Sequence, residues 1–77
     1  MSTRPDDQLV SAISRWLARH TSDAELRERI GEVGLDGLDP GQRAAVEELA
    51  AELALGNGRG GLEMLARETL ESLALGG

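Results

Sequence analysis

Asp39-Pro40-Gly41-Gln42-Arg43-Ala44-Ala45-Val46-Glu47-Glu48-Leu49-Ala50-Ala51-Glu52-Leu53-Ala54-Leu55-Gly56 is the stretch on which the fold turns. It carries the signals of one helix in chain order. Asp39 can cap the first free backbone N–H groups, Pro40 suits the first helical position, where its missing donor is not needed, and Gln42 can close the capping box. Val46, Leu49, Ala50 and Leu53 then recur three and four apart, lining one face, while Glu47, Glu48 and Glu52 largely occupy another. Gly56 ends the helix.

After Gly56, the turn Asn57-Gly58-Arg59-Gly60-Gly61 leads to a second helical pattern through Leu62, Leu65, Ala66, Thr69, Leu70 and Leu73. A connection this short predicts an antiparallel hairpin. The quartet Leu53-Ala54-Leu55-Gly56 recurs as Leu73-Ala74-Leu75-Gly76, two helix ends that use the same glycine stop rather than a repeat architecture. Upstream, Ser22-Asp23-Ala24-Glu25 is a capping box, followed by a narrower stripe of Leu26, Ile30 and Val33. Gly31 weakens that helix by roughly 1 kcal/mol relative to alanine, and Gly34 is its natural stop. The first helix follows Thr3, a candidate cap, with Pro5, Asp6 and Asp7 in its opening turn. Leu9, Val10, Ile13, Trp16 and Leu17 recur at helical spacing, with His20 next on that face and Arg15 and Arg19 near the end.

The chain is therefore expected to be all-α: a small bundle of four short helices at about 5–20, 23–33, 40–55 and 61–75, forming a single helical domain over 1–77. A three-helix variant would leave Ser22 to Val33 irregular or loosely docked. The predicted core is Leu9, Ile13, Trp16, Leu17, Leu26, Ile30, Val46, Leu49, Leu53, Leu62, Leu65, Leu70 and Leu73. At this size such a core yields only about 3–5 kcal/mol, so dimerisation through a leftover apolar face would be a common remedy. Leu55, Met64 and Leu75 fall off the main stripes. Together they could form a patch for a protein partner or a second copy, the alternative being partial burial by the first two helices.

Composition narrows the chemistry. The hydrophobic fraction is 40% and the charged fraction 29%, within the range of a folded domain. Trp16 is the only aromatic residue and there is no cysteine, which excludes a disulfide framework, a thiolate nucleophile and cysteine-based zinc. The net charge of −6 is uneven. Residues 1–35 hold six acids and five arginines, and residues 36–77 hold eight acids and three arginines. Met1 to Asp7 lacks the basic start and apolar run of a secretory signal, and no stretch approaches the roughly 18 apolar residues of a membrane span. A cytoplasmic location is expected.

No residue constellation suits catalysis. His20-Thr21-Ser22-Asp23 holds the residue types of a hydrolase triad, but four neighbours between two helices cannot readily converge as a triad must. A metal is not expected, because His20 is the only histidine and the glutamates read as a solvated face. Gly56, Gly58 and Gly61 match G-x-G-x-x-G, yet a helix precedes them where the dinucleotide fingerprint needs a strand. Nucleic acid is not an expected partner either. The third helix would read DNA in a helix-turn-helix, and it presents Glu47, Glu48 and Glu52 against Arg43 alone.

Two stretches invite family comparison. Gly34-Leu35-Asp36-Gly37-Leu38, between an early helix and an acidic one, resembles acyl carrier proteins and their Asp-Ser-Leu motif. The modified serine of that family would fall at position 37, which is glycine here, so no phosphopantetheine could attach. Pro40-Gly41 departs from the family pattern as well. The terminal Gly76-Gly77 is similar to the tails of sulfur-carrier and ubiquitin-like proteins, whose β-grasp fold the helical pattern does not match. A helix stop followed by the chain end also accounts for both glycines.

The expected function is a non-enzymatic protein–protein interaction module, a regulator, adaptor or accessory subunit, without cofactor, metal or membrane. Its candidate surface is Leu55, Met64 and Leu75 with Glu47, Glu48 and Glu52. The alternative is a carrier or precursor-type peptide processed at Gly76 and Gly77.

Overall fold

The computed structural model describes residues 4–56 and 58–75, and its four helices are α1 (Pro5–Leu17), α2 (Asp23–Val33), α3 (Pro40–Leu55) and α4 (Arg59–Leu75). Each helix packs on its neighbours in chain order and α4 returns to α1, while the diagonal pairs α1/α3 and α2/α4 make no backbone approach among the described residues. Polar ties fix the directions. Gln42 Nε2, at the start of α3, donates to the Leu73 carbonyl at the end of α4 (3.1 Å), and Thr69 Oγ1 reaches the Ala45 carbonyl at 3.4 Å. α3 and α4 are thus the expected antiparallel hairpin. Arg59 at the start of α4 meets the end of α1, and the α2–α3 loop meets Pro5 at the start of α1. The bundle runs up, down, up, down.

Helix ends follow local chemistry. Ser22 Oγ accepts the Glu25 N–H at 3.2 Å, as the capping box requires, and the Asp39 N–H donates to Gln42 Oε1 at 3.0 Å. Pro5 opens α1 behind Arg4, whose side chain pairs with Asp6 Oδ2 at 3.1 Å rather than capping the helix, and the proposed cap Thr3 lies outside the described residues. α1 ends at Leu17 rather than near position 20. Arg19 adopts a left-handed φ of 66°, its N–H donating to the Trp16 carbonyl and the His20 N–H to the Arg15 carbonyl. That is a Schellman stop made without glycine, and it turns His20 out to solvent. α4 begins at Arg59, two residues before the expected start. Glycines in a first turn cost little hydrogen bonding because those N–H groups lack helical partners anyway.

The core agrees with the sequence pattern at Leu9, Ile13, Trp16, Leu26, Ile30, Val46, Leu49, Leu53, Leu62 and Leu73, all buried. α2 is docked rather than loose, since Leu26 and Ile30 both enter that core. Leu17, Leu65 and Leu70 are only partly buried and pack against its edge. Ala12, Ala66 and Leu38 are buried instead, with Gln42 and Thr69 as buried polar groups. Leu38 lies in the connecting loop and plugs the end of the bundle, which helical periodicity could not reveal. Gln42 and Thr69 are tolerated inside because each is hydrogen-bonded, Thr69 also to the Leu65 carbonyl at 2.8 Å.

Gly31 within α2 and Gly34 just past its end predict opposite outcomes for one substitution. A Cβ at Gly31 would meet nothing within 4 Å, and the residue is helical and exposed. Gly31→Ala should stabilise the protein by about 0.5–1 kcal/mol. Gly34 has φ 77° and ψ 168°, a region essentially reserved for glycine, so Gly34→Ala should cost about 1–3 kcal/mol. Thermal melts followed by circular dichroism would test the pair, and equal signs would contradict the assigned backbone.

Candidate interaction surface

The residues that looked reactive in the sequence have structural work. Asp23 Oδ1 accepts the Trp16 indole N–H at 2.7 Å, and Ser22 caps α2. His20 is exposed in the turn. A Cβ added at Gly37 would come within 2.7 Å of Pro5 Cγ. The position corresponding to the carrier serine is therefore where the α2–α3 loop packs on the start of α1, and a side chain there requires a shift. Among the described residues no group of three or more His, Asp or Glu is placed to hold a metal ion, and no helix is long and apolar enough to cross a membrane. Gly76 and Gly77 lie outside the described residues.

Arg59 is the residue whose role the sequence concealed. Its guanidinium carbon sits 4.2 Å from the centroid of the Trp16 ring, Nη2 donates to the Trp16 carbonyl at 2.7 Å, and Nε pairs with Glu63 Oε2 at 2.9 Å. One side chain thereby caps the end of α1, stacks on its aromatic ring and holds the start of α4. The only legible signal was an arginine among glycines at a helix start, beside a chain with one aromatic ring to stack on.

The outward face of the α3–α4 hairpin collects the exposed apolar residues. Leu55 is 71% exposed, Met64 66% and Leu75 76%. A small cleft of about 170 Å³, lined by Glu52, Gly61, Leu62 and Leu65, marks where the two helices meet on this side. Residues advance about 100° each round a helix, so Glu48 and Leu55 lie roughly 40° and 60° from Glu52 toward solvent. On α4, Glu68 and Leu75 lie about 60° and 80° from Leu65, with Met64 next to them. Arg43 and Arg67 fall on the far flanks, about 180° from Glu52 and 160° from Leu65.

This arrangement splits the expected surface. Glu48 and Glu52 flank the α3–α4 cleft, whereas Glu47 faces the α2 side. Glu68, not singled out in the sequence, joins them across the cleft. The pairings of Gln42 with Leu73 and Ala45 with Thr69 set Glu52 level with about Leu62, and Glu48 with about Ala66. Three carboxylate positions therefore fall within about 9 Å of axial length. Leu55 and Met64 stand toward the turn end and Leu75 at the opposite end, so the three do not form one patch. The signal for Glu68 was present: Met64, Glu68, Glu71 and Leu75 are spaced i, i+4, i+7 and i+11, one exposed stripe of a helix.

On the other side, α1 and α2 border an open groove of about 780 Å³. Its lining mixes Arg15 and Arg29 with Asp7, Glu25, Glu28 and Glu32 alongside Ala12 and Leu26, so it presents no single sign of charge. Comparison with protein-family models, curated proteins and solved structures finds no match to this chain.

Removing the Arg59 side chain should cost about 2 kcal/mol, the sum of a stacked cation and one hydrogen bond to a backbone carbonyl. Arg59→Ala should also expose the Trp16 ring, shifting its fluorescence to longer wavelength in the folded protein. Arg59→Lys, which keeps the charge but not the planar fork, should recover only part of the stability. An Arg59→Ala protein with unchanged melting and emission would remove this contact from the fold.

Proposed function

We propose that this protein is a non-enzymatic interaction module that engages a protein partner through the outer face of the α3–α4 hairpin. The observation that carries this reading is the coincidence, on one face, of the three exposed large apolar side chains with Glu48, Glu52 and Glu68. Water-exposed leucine and methionine contribute nothing to the core, and burying them against a partner supplies the driving force for association. The carboxylates supply orientation and encounter rate more than affinity. A regulator, adaptor or accessory subunit needs no more chemistry than this.

The test is site-specific crosslinking in the native host. A photoreactive residue in place of Met64 or Leu75 should yield a protein adduct, and one in place of exposed Ser14 on α1 should not. The triple substitution Glu48→Lys, Glu52→Lys and Glu68→Lys should lower adduct yield at least tenfold, and raised salt should lower it in the wild type. An absence of adduct at Met64 and Leu75, or an adduct indifferent to the charge reversal, would remove the basis for this function.

A further inference from the structure

We infer that the partner element is a single basic amphipathic helix, lying along the α3–α4 cleft with large apolar residues at both ends and Lys or Arg between them. The inference rests on the interaction reading and adds the shape and charge of what binds. Met64 and Leu75 are eleven residues apart, which is about 16 Å along α4 and within about 20° of the same angular position. A partner helix meets that spacing with its own residues three turns apart, again on one face. Between these ends lie Glu48, Glu68 and Glu71, with Glu52 beside Met64 toward the turn. The middle of the docked helix therefore faces carboxylates and requires cations.

Charge selects among the possible occupants. A second copy docked face to face would set Glu48, Glu52 and Glu68 against the same residues, a like-charge contact that costs several kcal/mol. An anionic membrane or a nucleic acid would be repelled by the same groups. An extended peptide finds no sheet edge among the described residues to pair its backbone, and a polyproline segment finds no aromatic-lined groove because Trp16 is buried, whereas a helix satisfies its own backbone. The short side chains at Gly41, Ala45 and Gly61, on the flanks where α3 and α4 meet, leave room for the bulk of a third helix.

The experiment is a display selection of helical peptides randomised on one face, with the full chain as bait. Enriched peptides are expected to place large apolar residues about eleven apart with Lys or Arg between them. A representative synthetic peptide should perturb the amide resonances of Glu48, Glu52, Met64, Glu68 and Leu75, leaving those of α1 and α2 unchanged. Affinity should fall at least tenfold for the Met64→Ala, Leu75→Ala double variant and for the Glu48→Lys, Glu52→Lys, Glu68→Lys triple variant. These residues are exposed or at the rim, so both variants should retain the wild-type circular dichroism spectrum. A pool without basic residues, without the apolar spacing, or with no enrichment at all would overturn the inference. So would binding that perturbs α1 and α2. Crosslinking from Met64 that still traps a protein in that event would leave the broader interaction reading standing with a partner of different shape.

Discussion

Trp16 is the point to which three of the four helices are tied. Its ring is buried, its indole N–H is satisfied by Asp23 at the start of α2, and its other face carries the guanidinium of Arg59 at the start of α4. A bundle core made mostly of leucine is permissive: neighbouring helices can slide by a turn and still bury similar area. Directional contacts at Trp16 remove that freedom at one end. Gln42 does the same at the opposite end, where its amide joins the α3 cap to the last turn of α4. With both ends pinned, the register of every intervening leucine follows.

The same ties decide what remains on the surface. Arg59 turns inward to Trp16 and Glu63, so the one arginine at the turn end of the hairpin does not face the α3–α4 cleft. Arg43 and Arg67 are carried to the outer flanks by helical rotation, because the residues that must face the core fix the angle of all others. The acidic character of the cleft is thus a consequence of which positions the core claims. A helix rotated to turn Glu52 inward would have carried Val46 and Leu53, about 120° and 100° from it, out of the interior.

Much of the fold was legible because helix ends are written locally. Ser22 with Glu25, Asp39 with Gln42, Gly34 and Gly56 each act on backbone groups within a few residues, so their reading needs no tertiary knowledge. What could not be read was decided at long range. Leu38 is buried because a loop crosses the end of the bundle, and Ala12 and Ala66 because they sit where helices approach, displacing Leu17, Leu65 and Leu70 to the rim. The stop after Leu17 uses Arg19 in a conformation most residues avoid, which no pattern of side-chain hydrophobicity encodes. The candidate surface was half legible for the same reason. Leu55, Met64 and Leu75 were recognisable as misfits on their own helices, but the pairing of Glu48 and Glu52 with Glu68 exists only once the hairpin register is known.

That pairing also bears on why the surface has this composition. Glu48 and Glu68 sit at nearby levels across a helix–helix junction, where opposite charges would add stability and like charges subtract it. A small domain with a few kcal/mol in hand has every reason to place a lysine there, yet the chain has no lysine and puts its nearby arginines elsewhere. Exposed Leu55, Met64 and Leu75 are a second departure from what folding alone would select, since they add nothing to the core and favour aggregation. Departures from local consistency concentrate where a protein meets something else. Here both fall on one face of one hairpin, while the α1–α2 side alternates its charges as a solvated surface should.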